Sequence, residues 1–253
     1  MKILIVGESC LDVYQYGDSR RLCPEAPVPV FNSNKTRETN GGMAWNVYNN
    51  VSAIAPEMHV DLCTNTSWES ITKTRYVDDL TNHMFVRVDS GEEKIERISN
   101  LDSIDFGQYD AVVISDYNKG FLRERDITQI SLRHPLTFLD TKKLLGAWAE
   151  PVRFIKINHK EYATTEHTLF NYPQLQNKLI ITQGSRGCTH GGINFPVSTV
   201  AIKDTTGAGD VYHGAFIYGL LNKWSFEKSA EFASAVAAIS CTKLGGRKGI
   251  PGV

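Results

Sequence analysis

Cysteine is scarce and never paired along the chain. Cys10, Cys23, Cys63, Cys188 and Cys241 are odd in number, widely scattered and without a CxxC spacing. That spacing carries most sequence-coded zinc sites, and an odd set gives no disulfide framework, so reduced and mostly buried thiols are expected. Long apolar runs are missing too. The start, MKILIVGESCLD, has one short apolar run before a glycine and a glutamate, less than a signal peptide needs. Nothing approaches a membrane-spanning length. A cytoplasmic protein with no membrane partner is therefore expected. Neither sign of charge is in excess, since 27 basic and 28 acidic residues leave a formal net charge of -1. That balance gives no electrostatic reason to expect nucleic acid as a partner. No repeat, low-complexity tract or linker divides the chain, so residues 1–253 read as a single domain.

What is present is a succession of short apolar runs. Lys2 to Val6, Ala111 to Ser115, Thr137 to Leu139, Phe154 to Ile157 and Leu179 to Thr182 read as buried strands. Helical patterns lie between several of them, such as Leu122 to Arg133. Strand, loop, helix and strand at this spacing predict an α/β fold, with a mostly parallel sheet covered by helices on both faces. Two stretches break the pattern. Residues 14–39 hold PEAPVPVF and alternating residues that suit edge strands and turns. Residues 73–89 hold TKTRYVD and MFVRVD, two alternating segments a hairpin apart. Together they predict a small antiparallel sheet, which would serve either as a lid or as a plain edge extension. Near the C-terminus, one apolar helix is expected from DTTGAGD to about Leu221. A second is expected from Ser225, with Phe226, Ala230, Ala233, Ala237 and Cys241 facing the core.

DTTGAGD, Asp204 to Asp210, stands where a helix begins. Glycines there let the backbone approach a ligand, and the first amides of a helix have no partner within it. With the helix dipole, the amides of Gly207, Ala208 and Gly209 would receive an anion. Asp210 falls in the first turn, where the dipole favours an ionised carboxylate of ordinary pKa, about 3.9. A carboxylate beside a bound phosphate makes sense if a substrate hydroxyl lies between them and gives its proton to Asp210 during phosphoryl transfer. A helix cap built from Thr205, Thr206 and Asp210 fits the same residues equally well. Other segments are open in the same way. GGMAWN is either a paired-glycine turn before a helix or a site where Asn46 meets a polyol. Asp12, just past the first strand, is either a turn residue or a ligand contact at the carboxyl end of a parallel strand. Asn158 and Glu161 follow another strand and offer oxygens suited to a hydrated Mg²⁺. Thr182 and Gly184, in ITQGSRG, could run along a nucleotide.

In this order the segments GGMAWN, Asn158-x-x-Glu161, Thr182-x-Gly184 and DTTGAGD resemble the ribokinase-like (PfkB) carbohydrate kinase family. The resemblance covers nearly the whole chain, and DTTGAGD is its most specific part. It implies a Rossmann-like fold with a β-sheet lid, from about 14–39 and 73–89, and ATP as phosphoryl donor with Mg²⁺. It implies Asp210 as the base and Gly207, Ala208 and Gly209 as the anion hole. Asp12, Gly41, Gly42 and Asn46 would face the sugar. Asn158, Glu161, Thr182 and Gly184 would serve the nucleotide and, through water, the metal. The family often places a monovalent cation beside the anion hole, near Asp204, and relatives often dimerise through the lid.

DVYQYGDSRRLCPEAPVPVF, ITKTRYV, VISDYNKG, LDTKK and TKLGG narrow the resemblance to the heptose-7-phosphate kinases, the kinase half of the bifunctional heptose kinase/adenylyltransferase of lipopolysaccharide synthesis. That implies a sugar phosphate, phosphorylated at its anomeric hydroxyl. Lys119 and Lys142 become candidates for a phosphate of the substrate or of ATP; solvated surface lysines are the alternative. Three departures stand out. The stretch from Val51 to Thr72 is much shorter than the family pattern, as though a βα unit were reduced. A threonine precedes Lys142 where these kinases usually show proline. No HxGH motif is present, so a kinase without its adenylyltransferase partner is expected.

Overall fold

A computed structural model describes residues 1–243. Leu244 to Gly246 of the TKLGG segment lie outside the described residues.

The buried strands form as the apolar runs predict. In β1 (Lys2–Gly7), Ile3 and Ile5 point to one face of the main sheet, while Leu4 and Val6 point to the other. That is the two-residue period of a strand covered on both sides. β7 (Ala111–Asp116) repeats it, with Ala111 and Val113 opposite Val112 and Ile114. Around them lie β4 (His59–Cys63), β8 (Thr137–Thr141), β9 (Phe154–Asn158) and β10 (Leu179–Thr182). The short β11 (Cys188–His190) and β12 (Ile193–Phe195) complete an eight-stranded sheet of order β12-β11-β10-β9-β8-β7-β1-β4. The six strands β10, β9, β8, β7, β1 and β4 run parallel, and β11 and β12 pair antiparallel at the other edge. One face packs α1 (Ala44–Ile54), α4 (Ala208–Leu221) and α5 (Phe226–Ser240). The other packs α2 (Glu124–Arg133) and α3 (His159–Leu169). Both C-terminal helices lie where the periodicity predicts, and Ser225 caps α5 by accepting from the Lys228 amide.

The second sheet corrects one expectation. Its strands are β2 (Ser9–Leu22), β3 (Pro29–Met43), β5 (Thr72–Asp78) and β6 (Met84–Ser90), in the order β3-β2-β5-β6. β2 pairs antiparallel with β3, and β5 with β6, but β2 and β5 run parallel. The sheet is therefore mixed rather than antiparallel. The cause lies in the main sheet, where β1 and β4 are parallel neighbours. β2 leaves from the end of β1 and β5 follows β4, so both rise from the same edge in the same direction. β4 reaches β5 through one short 3₁₀ turn, Trp68–Ser70.

GGMAWN also differs from a plain glycine turn. Gly41 and Gly42 are the last residues of β3 before Met43, and it is Met43 that takes the left-handed φ of 57° before α1. The glycines are needed for room. A Cβ on Gly42 would sit 2.4 Å from Asp12 Oδ2, and one on Gly41 would enter the Trp45 ring.

Candidate active site

The first turn of α4 lies between two cavities. Gly207, its N-cap, has a φ of 77°, and no side chain caps the helix. The Asp204 carboxylate accepts from the Thr206 amide instead. The capping scheme that the sequence left open is therefore not the one adopted, and of the three glycine-loop amides that of Ala208 donates to the Thr205 carbonyl at 3.2 Å.

On one side is a cavity of about 380 Å³ that Gly207 and Asp210 share with Asp12, Asn46, Lys119 and Lys142. Its remaining wall comes from the second sheet and from Tyr117. On the other side is a cavity of about 210 Å³ reached by Ala208, Gly209, Thr182 and Gly184. Val200, Ile202, Tyr212 and Ala238 also line it, a mainly apolar set that suits a flat base.

Asp210 is buried. Its Oδ2 accepts from Asn46 Nδ2 at 2.6 Å, and Tyr117 Oη approaches Oδ1 at 3.4 Å. Oδ1 thus keeps capacity for a further donor from the larger cavity. Burial pushes the carboxyl up to about 6; Lys156 pulls it down, and Asp140 adds to the rise. This corrects the expectation of an ordinary aspartate. The carboxylate is still the majority form at neutral pH, and it is a stronger base than a solvated one.

Asp12 Oδ1 accepts from Arg75 Nη1 at 2.5 Å. Lys73 donates to Glu92 at 2.6 Å and to Asp89 at 3.1 Å, while Lys119 reaches the other oxygen of Glu92 at 2.7 Å. Lys142 is paired with Glu161 and lines the larger cavity rather than the one bounded by Thr182. Asn158 and Glu161 line neither. They form the capping box of α3: Asn158 Oδ1 accepts from the amides of Lys160 and Glu161, and Glu161 Oε2 accepts from the Asn158 amide. A carboxylate has about four lone-pair sites, so Glu161 can still hold a water of a hydrated Mg²⁺. Among the described residues no three His, Cys, Asp or Glu side chains gather as a metal site.

Sequence reasoning missed several contributors. Lys73 and Arg75 were legible as one face of the alternating TKTRYVD. Tyr117 lies in VISDYNKG, beside the Lys119 that was singled out. Lys156 was hidden as a single charge inside the apolar run Phe154 to Ile157, and its partner Asp140, in LDTKK, is brought to it only by the pairing of adjacent strands.

With this geometry in view, the chain can be set beside known proteins. Residues 130–252 match the model of the pfkB family carbohydrate kinases. Over that stretch, a little under half of its length, the chain carries a PfkB-family carbohydrate kinase domain. The family is one of phosphotransferases with an alcohol group as acceptor. Among similar curated proteins, the bifunctional protein HldE of Helicobacter pylori strain J99 is 29% identical over 294 aligned positions, which cover 96% of this chain and 63% of that protein. HldE of Psychromonas ingrahamii is 27% identical, with 96% and 61% covered. The PfkB chain thus spans less than two thirds of these relatives. The 294 positions also exceed its own 253 residues, so that relative has residues with no counterpart here.

Solved structures agree on the fold, which is ribokinase-like. The ribokinase of Thermotoga maritima superposes with a TM-score of 0.72 at 18% identity, covering 98% of this chain and 95% of the other. A nucleoside kinase of Methanocaldococcus jannaschii gives 0.72 at 16%, covering 99% and 94%. No helix among the described residues is long and apolar enough to cross a membrane.

Proposed function

We propose that this PfkB domain transfers a phosphoryl group from ATP to the anomeric hydroxyl of D-glycero-D-manno-heptose 7-phosphate. The observation that carries the reading is the α4 N-terminus, uncapped by any side chain, between a polar cavity holding Asp210 and an apolar one bounded by Thr182 and Gly184. The sugar hydroxyl donates to Asp210 Oδ1. Asp210 takes that proton as the sugar oxygen bonds to phosphorus and the bond to the leaving oxygen breaks. The amides at Gly207 and Gly209 face the charge that develops, joined by that of Ala208 when it exchanges the Thr205 carbonyl for the phosphoryl group. ATP supplies the phosphoryl group, and Mg²⁺ neutralises phosphate charge when bound. Thr182 and Gly184 would flank the nucleotide, and Asn158 and Glu161 would hold metal-bound water.

Asp12, Asn46 and Lys119 orient the sugar in this reading, and the β2-β3-β5-β6 sheet acts as a lid. Support for the lid comes from Lys73, Arg75, Arg87 and Asp89, which bring its inner face to the cavity wall. Five cations line that wall (Lys73, Arg75, Arg87, Lys119 and Lys142), and a phosphate of the acceptor would take the place of Glu92 or Glu161 as partner of Lys73, Lys119 or Lys142. The heptose itself rests on the local segments that resemble heptose-7-phosphate kinases.

The test is a coupled ADP-release assay over heptose 7-phosphate, fructose 6-phosphate, ribose and adenosine. Heptose 7-phosphate is expected to give the highest kcat/KM. Preference for another acceptor would move the protein to a different specificity within the family. Acceptor binding with no ADP release from any of them would make it a binding protein on a kinase fold.

Acidity offers a second check. The base must be ionised, so kcat/KM should hold above about pH 6 and fall roughly tenfold per unit below it. Glu8, buried behind Lys119 and pushed up to about 7 by burial and by Asp116, titrates in the same window. The profile is therefore measured in Glu8→Gln as well as in the parent. A flat profile down to pH 5 in both would remove Asp210 as the base.

A further inference from the structure

A lysine packed beneath a helix N-terminus is electrostatically out of place, because that end already carries about half a positive charge. Lys156 nevertheless sits there. It is the middle residue of β9, only 7% exposed, and a Cβ on Gly209 would lie 3.1 Å from its Nζ. The ammonium donates to Asp140 Oδ2 at 2.5 Å from the facing position of β8. Burial works against the charge of Lys156, but Asp140 and then Asp210 outweigh it, and its pKa lies above the usual lysine value. Burial likewise opposes ionisation of Asp140, and Lys156 outweighs that.

Stability alone does not explain the pair. A buried ion pair usually contributes no more than well-packed apolar residues of the same volume. The neighbouring Leu139, Ile155 and Ile157 show that these strands otherwise take apolar side chains readily. What the pair does provide is a fixed charge of known direction. The pair lies on the α4 face of the sheet, continuing the row of Phe138 and Phe154 to the carboxyl ends of their strands.

We propose that Lys156, held by Asp140, is a positioning residue of the phosphoryl-transfer centre, its ammonium supplying fixed positive charge behind Gly209 and beside the Asp210 carboxylate. The inference rests on the reading of Asp210 as base. Other groups also face Asp210. Lys142 lies beyond β8, Tyr117 beyond β7 and Asn46 on α1, while Asp12 and Arg75 line the cavity wall opposite. On its own helix, His213 is buried and pushed down to about 4 by burial, so it is neutral at working pH. Lys156 is the strongest of the charges acting on Asp210, so removing it should have the clearest effect.

The test is a carbon-13 NMR titration of the Asp210 carboxyl, assigned by its loss in Asp210→Asn, with no nucleotide present. In Lys156→Met the midpoint should rise by about one pH unit or more, and the acid limb of kcat/KM should rise with it. Lys156→Arg, which keeps the charge, should return the midpoint toward the parent value. Lys156→Met leaves Asp140 buried without its partner, so Asp140→Asn/Lys156→Met is measured alongside it, with the melting temperature as a check on folding. There the rise should be smaller but in the same direction, since the acid-raising effect of Asp140 is lost too. An unmoved midpoint in a folded variant overturns the proposal. So does a loss of turnover at every pH without a shift, which would mean that Lys156 matters only for packing. A shifted midpoint with an active Asp210→Asn would instead unseat the base while leaving the Lys156 coupling in place.

Discussion

Asp210→Asn should lower turnover by at least about a hundredfold, the lower end of what a positioned general base contributes, while the acceptor still binds. The substitution keeps the shape of the side chain. Its amide oxygen can still accept from Asn46 Nδ2, the donor at 2.6 Å in the parent, so the cavity should keep its form. What disappears is the capacity of Oδ1 to take a proton. The loss should therefore fall on kcat, with KM for the sugar nearly unchanged. The acid limb near pH 6 should vanish along with the activity. Steady-state kinetics by ADP release, with acceptor affinity measured separately by calorimetry, would distinguish the outcomes. Near-normal turnover would sink the base assignment. A comparable loss in both kcat and affinity would show that Asp210 holds the sugar rather than its proton.

Gly7→Ala should be strongly damaging to the fold. Gly7 ends β1, at the carboxyl edge where the active site is built. A Cβ there would lie 2.0 Å from the Ser115 carbonyl oxygen on β7 and 3.1 Å from the Ala44 Cβ at the start of α1. Neither neighbour is the free end of a flexible side chain. The oxygen belongs to a strand of the central sheet, and Ala44 is fully buried. Overpacking of this kind costs about 3 kcal/mol or more where the backbone must yield. For a chain of this size, that corresponds to a fall in melting temperature of roughly 6 to 12 °C. Gly107→Ala is the control: its Cβ would meet only the Asp105 carboxylate, at 3.3 Å, and its effect should stay within about 1 kcal/mol. Gly7→Ala melting within about 2 °C of the parent would show that β1 and β7 separate more easily than their pairing suggests.

Much of the molecule was legible because it is encoded locally. Lys2 to Val6 and Ala111 to Ser115 announce strands covered on both faces by uninterrupted apolar runs, and the structure places them side by side. Asp204 to Asp210 announces a helix start, because glycine, threonine and aspartate have conformational and capping preferences that act within one turn. The two alternating segments around Lys73 and Asp89 announce a separate sheet, for their period is two residues. Each of these signals is a property of neighbours along the chain.

The remainder depends on contacts between distant residues. The parallel pairing of β2 with β5 follows from the adjacency of β1 and β4, which no local pattern reveals. Asn158-x-x-Glu161 could be read as a spacing, but its use as a capping box appears only once β9 runs into α3. The sharpest case is Asp210. By sequence alone it was an ordinary, ionised aspartate at the start of a helix. Burial raises its pKa, Lys156 from β9 lowers it, and Asp140 from β8 raises it again. The sequence determined which carboxylate stands at the helix start. Only the tertiary structure decided how basic it is, because solvent exclusion and the charges of distant strands act through space rather than along the chain.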